Sequence, residues 1–278
     1  MFGLAIAFGC VVGFALGLTG GGGGVLAVPL LVYGLSVAPR EAVGISLASV
    51  GGTALFGAVP RLLQGEVELR TGLLFAASGM LGAPVGAYLS RMLPEAMLLL
   101  MFGLLMLAVA ERMWSKARTQ SNVGLRCAVD HTRAAESEHS ACQRDQVGRL
   151  KMTSRCAQLL ILVGITTGIL SGMFGVGGGF VIVPSLVLFS GMEIHRAVGT
   201  SLFVIVMVSI SGVISHLLND NRLPVDITTL FMLGGFGGMF LGGRVAEQLN
   251  GPALQKIFSI AVVLVAAFVI IRTAIKAT

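Results

Sequence analysis

Charge is scarce in this chain. Of its 278 residues, 12% are Asp, Glu, Lys or Arg, about half the share of an ordinary soluble domain. Hydrophobic residues make up 55%, and mean hydropathy is +0.91. A soluble fold of this length would have almost no polar surface left to cover itself, which excludes a water-soluble enzyme. Disorder of the bulk is excluded too, because disorder needs low hydrophobicity and high charge. No Gly-Lys-Ser/Thr follows the glycine-rich stretches, so a phosphate loop for nucleotide hydrolysis is missing. The sixth position counted from Gly175 is Phe180, which breaks a dinucleotide-binding fingerprint. The N-terminus, Met1 to Leu18, has no basic region ahead of its apolar residues. It reads as a retained first segment rather than a signal peptide.

What is present is a series of apolar runs, at about 2–18, 25–35, 43–60, 71–90 and 96–113, then 157–173, 180–190, 197–218, 227–246 and 253–275. The pattern predicts an all-α polytopic integral membrane protein with about 8–10 membrane segments. Two of the runs, 25–35 and 180–190, are too short to cross comfortably alone, and each follows a glycine cluster and holds a proline, Pro29 or Pro184. The net charge of +6 does not point to nucleic acid. Nine basic residues lie between Arg112 and Arg155, with acidic residues among them, as in a cytoplasmic loop that obeys the positive-inside bias. Three parts follow: a membrane repeat at 1–113, a polar cytoplasmic loop at 114–156 and a second membrane repeat at 157–278. In the loop, Cys127, His131, His139 and Cys142, with Cys156 beyond them, are metal-ligand residue types whose spacing fits no standard zinc module. A reduced loop without metal is the expectation.

The two halves repeat each other. A shift of 155 positions, without gaps, places Gly20 on Gly175, Gly22 to Gly24 on Gly177 to Gly179, Pro29 on Pro184, and Ser46-Leu47 on Ser201-Leu202. Hydrophobic letters agree by chance in such a composition, but aligned Gly, Pro and Ser do not. The parity of crossings per half decides whether the repeats are parallel or inverted. Counting Lys and Arg gives the same balance for both topologies. Inversion is preferred because broken helices paired by an inverted repeat give alternating access a simple basis.

A glycine run unwinds a helix and bares its backbone polar groups. Within lipid such a break survives only where it is buried in protein or lines a wet cavity. Where the chain restarts as a helix, free N–H groups and the positive dipole end form an anion site without a charged side chain. The candidate substrate-binding residues are therefore Gly20, Gly22, Gly23, Gly24 and Pro29 in one half, and Gly175, Gly177, Gly178, Gly179 and Pro184 in the other. The competing interpretation is close helix packing through small residues. Ser46, Thr200 and Ser201 open the next run in each half and add hydroxyls, unless they merely cap a helix or satisfy a local carbonyl. No Asp, Glu, Lys or Arg stands in mid-run. His216 is the one titratable side chain near a span interior, a proton-relay candidate or an interfacial, hydrogen-bonded histidine. A monovalent anion leaving a negative-inside cell gains about 2.3 kcal/mol per 100 mV, so export needs no coupled ion.

The doubled Gly-x-Gly-Gly-Gly-x-x-x-x-Pro, followed by Ala-Val-Gly-x-Ser-Leu, resembles the TauE/SafE family of membrane permeases. So do Gln64-Gly65-Glu66-Val67, the run Gly79 to Ala87, and Arg91-Met92-Leu93-Pro94 through Phe102-Gly103. The resemblance implies export of sulfite or a small organosulfonate such as sulfoacetate, with no enzymatic activity and no cofactor. Carried over, it marks Gly22 to Gly24, Pro29 and Ser46, then Gly177 to Gly179, Pro184, Thr200 and Ser201. Ile45 stands where the second half has Thr200, so the site is expected to be asymmetric. The expected partners are a small anion and the lipid of the inner cell membrane, not nucleic acid, with a homodimer left open. The alternative is a non-transporting membrane assembly or anchor protein whose glycines only pack helices. An intramembrane enzyme is the weakest reading, since the spans hold neither a Ser/His/Asp set nor a metal-ligand cluster.

Overall fold

The computed structural model describes residues 2–124, 154–190, 192, 194–218, 224–248, 263–269 and 271–272. Among them every regular element is helical. Helix α1 (Phe2–Thr19) ends at Gly20, whose φ of +71° no further helical turn can use. The chain restarts as α2 (Gly24–Pro29) and continues as a π-helical turn, Leu30–Gly34. Pro29 removes one intrahelical donor where the ladder changes register, an adjustment that keeps the turn winding past the proline. Helix α3 (Pro39–Leu63) opens with proline at its first position after the extended Ala38, where the missing N–H costs nothing. Helices α4 (Leu69–Met92) and α5 (Glu95–Gly124) complete the first half, α5 running on past residue 113. The second half holds α6 (Ser154–Phe174), α7 (Gly179–Ser190), α8 (Ile194–Leu218) and α9 (Val225–Gln248). Residues 263–269 are helical again.

Six helices, α1, α3, α4, α6, α8 and α9, are long and apolar enough to cross a bilayer. The segments 24–34 and 95–108 are shorter apolar helices. This is a multi-pass helical membrane protein. Both ends of α8 lie 155 residues after those of α3, and both ends of α9 lie 156 residues after those of α4.

Packing exchanges partners between the halves. Helix α1 packs along α9, and α6 packs along α4. Small residues bring these backbones together. A Cβ on Gly9, Gly13 or Gly17 would run into backbone of Phe231, Gly235 or Met239. On the other side, Gly168 and Gly172 face the carbonyls of Gly79 and Ala83 in the same manner. In both pairs rising numbers meet rising numbers, so the helices run parallel. The central pair differs: Leu47 meets Gly212, Gly51 meets Ser209 and Gly57 meets Leu202. Helices α3 and α8 therefore cross in opposite directions. Leucine, isoleucine and phenylalanine side chains remain exposed on the outer faces of α1, α4 and α9, the surface lipid would cover.

Candidate functional site

Both glycine breaks lie at the centre of this arrangement, and Gly20 to Gly24 and Gly175 to Gly179 are all buried. The breaks touch each other. A Cβ on Gly21 would stand 2.7 Å from the Cα of Gly179, and one on Gly24 would collide with the carbonyl oxygen of Val176. Of the two settings that allow such a break, burial in protein or a wet cavity, the described residues show burial. In this conformation the breaks abut, and the close-packing role of these glycines operates together with the unwinding.

The turns begin alike. Gly20 and Gly175 have φ of +71° and +72°, and their N–H groups donate to the carbonyls of Leu16 and Ser171, both at 2.8 Å. Each carbonyl at the break is then bonded from the opposite half. The Ser201 hydroxyl donates to the Gly20 carbonyl at 2.6 Å, and the Ser46 hydroxyl donates to the Gly175 carbonyl at 2.5 Å. The serine hydroxyls are thus engaged with carbonyls across the halves, and that of Ser201 also lies 2.8 Å from the local carbonyl of Val198. Thr200 turns elsewhere. Its hydroxyl accepts the Glu68 N–H at 3.0 Å and so supports the start of α4 rather than facing a break. Pro29 is buried in α2. Pro184 falls within α7, and its side chain lies outside the described residues.

Beyond these turns the halves diverge. In the first break the Thr19 hydroxyl accepts the Gly22 N–H at 2.8 Å and donates to Ala15 at 2.7 Å. The repeat-related position in the second break is Phe174, which has no hydroxyl. Gly22 against Gly177 is the point of difference: among the described residues, no acceptor meets the N–H groups of Gly21, Gly23 or Gly24, nor those of Gly177, Gly178 or Gly179 at the start of α7. Two buried hydroxyls beside them, on Ser171 and Ser209, have no partner either. The Ser171 Cβ lies 3.6 Å from where a Cβ on Gly178 would stand, and the Ser209 Oγ lies 3.9 Å from the same point on Gly177. Gly177 and Gly178, both with φ of +69°, hold the backbone so that it comes this close. An orphaned buried donor is costly in hydrocarbon. Here two such hydroxyls stand beside the start of a helix.

Neither Ser171 nor Ser209 stands out in sequence. Ser171 is the single serine of its apolar run and Ser209 one of four in its own, and the repeat hides them, since Leu16 and Ala54 occupy the related positions. His216, 6% exposed, lies at the far end of α8 beside Arg40 and Arg91. Cys127, His131, His139 and Cys142 lie outside the described residues. Among the described residues, no group of three or more His, Cys, Asp or Glu could hold a metal ion.

Spanning helices joined at paired glycine turns make this a multi-pass helical membrane protein. The family described as sulfite exporter TauE/SafE matches residues 5–269, and the chain belongs to that family. It is 33% identical over 273 residues to a probable membrane transporter protein of Xylella fastidiosa (strain Temecula1), covering 97% of this chain and 95% of that one. It is 26% identical over 260 residues to the probable membrane transporter protein YunE of Bacillus subtilis (strain 168), covering 90% and 88%. No solved structure matches the chain.

Proposed function

We propose that this permease exports a small oxyanion, sulfite or an organosulfonate, by alternating access around the two glycine breaks. The observation that carries this reading is the cluster of unmatched donors at the second break: the N–H groups of Gly177 to Gly179 with the hydroxyls of Ser171 and Ser209. They call for an acceptor, and an anion brings several lone pairs at once. Opposed α3 and α8, with α1 on α9 and α4 on α6, support an inverted relation of the halves. An inverted relation lets two packings of similar energy open to opposite faces. On this reading the abutting breaks are a closed intermediate of such a cycle.

Sulfite efflux from liposomes containing the purified protein tests the reading. Ser209→Ala and Ser171→Ala should insert and remain monodisperse yet raise the half-saturating sulfite concentration about tenfold or more, the worth of a hydrogen bond to a charged group. The tight contact of Gly21 with Gly179 favours a second reading, an assembly protein in which the breaks only pack. On that reading the wild-type protein passes no more sulfite than empty liposomes do.

A further inference from the structure

A small crevice opens between the start of α3 and the ends of α4, α6 and α8, lined by Arg40, Ser90, Arg91 and His216, with Val43 and Gly172 as its inner wall. No carboxylate lines it. Arg40 is held in place: its Nη2 donates to the carbonyls of Arg91 and Leu93, each at 3.3 Å. Its Nε is buried and meets no acceptor, and neither does the buried Nε2 of His216. A guanidinium N–H and an imidazole nitrogen taken out of water without partners are expensive, and a charged acceptor placed between them removes that cost. The closed crevice has room for about one water molecule. A larger anion would enter at its mouth, where Arg91 is exposed.

The inner wall leads to the second break. Gly172 adjoins Ser171 in the chain, and the Val43 Cα lies 2.7 Å from where a Cβ on Gly175 would stand. The cluster is not duplicated at the other end of the molecule. In the repeat register, the sequence there has His195, Ala246, Glu247 and Arg61 in place of Arg40, Ser90, Arg91 and His216.

We propose that Arg40, Ser90, Arg91 and His216 form an oxyanion-binding vestibule that feeds the second glycine break from one membrane face only, the face where α3 begins. The assignment rests on the transport reading above for its role, but binding at the crevice is measurable without transport. Phenylglyoxal modifies exposed arginines, and its rate at Arg91 can be followed by mass spectrometry on the full chain, with sulfate as an inert tetrahedral probe. Sulfate at about ten times its Kd should slow modification of Arg91 about tenfold, by mass action. The exposed Arg70, at the opposite end of α4, serves as the control and should be unaffected. Protection of Arg91 should weaken in His216→Ala. An Arg91 rate indifferent to sulfate in the wild-type protein overturns the vestibule, and so does protection equal at Arg70 and Arg91. Protection at Arg91 without sulfite flux in liposomes leaves the vestibule standing and removes the transport reading. Flux without protection does the reverse.

Discussion

At the scale of single residues, the two repeated serines act as cross-braces. Each fixes a carbonyl belonging to the other half, so removal of either leaves a buried main-chain acceptor without its donor. Ser201→Ala and Ser46→Ala should each cost about 1–2 kcal/mol, read as a lower unfolding midpoint in detergent. Thr200→Val should act on the α3–α4 connection instead, because its hydroxyl accepts from Glu68. The position of these hydroxyls beside the breaks was legible in sequence, since the repeat register marks Ser46 with Ser201. Their acceptors were not legible, because no local spacing reports a contact across 129 or 181 residues. Arg40 and Arg91 were not legible as site residues for a related reason, Arg91 counting only within a motif of the family resemblance. At the ends of runs they read as topology signals, and only folding brings them beside His216.

At the scale of elements, glycine spacing separates two kinds of glycine that look alike in the sequence. Gly13 lies against the carbonyl of Gly235, with no room for a methyl group. Gly13→Ala should therefore force α1 from α9 and cost about 1–3 kcal/mol by overpacking. Gly237, two residues further along the same partner helix, has nothing within 4 Å of an added Cβ. Gly237→Ala should be neutral or stabilise by roughly 0.5–1 kcal/mol through the loss of glycine's backbone entropy. Thermal melting of both variants in one detergent compares them directly. Element positions were largely legible: the runs at 43–60, 71–90 and 197–218 lie within α3, α4 and α8. The π-helical passage after Pro29 was not, because hydropathy carries no information on hydrogen-bond register.

At the scale of the molecule, the opposed central helices bear on what charge counting left open, and favour inversion. The Lys and Arg outside the 114–156 stretch divide in the same proportion under both topologies. The direction of α8 against α3 is instead set by which side chains interlock. If both helices span the bilayer, Gly65, just after α3, and Val225, which opens α9 after α8, lie on opposite faces. Cysteines placed there singly, with the four native cysteines changed to serine, should react with a membrane-impermeant maleimide from opposite sides in sealed vesicles. Labelling of both from one side would refute the inverted arrangement.

The exchange of α1 and α4 between halves has a consequence for how such a molecule can be assembled at all. One half alone would show two glycine-floored furrows to the lipid and have nothing of its own to lay in either. The only complement it could find is another copy of itself inserted upside down. The peptide joining the halves turns that search between separate chains into an encounter within one, raising the partner's effective concentration without adding a contact.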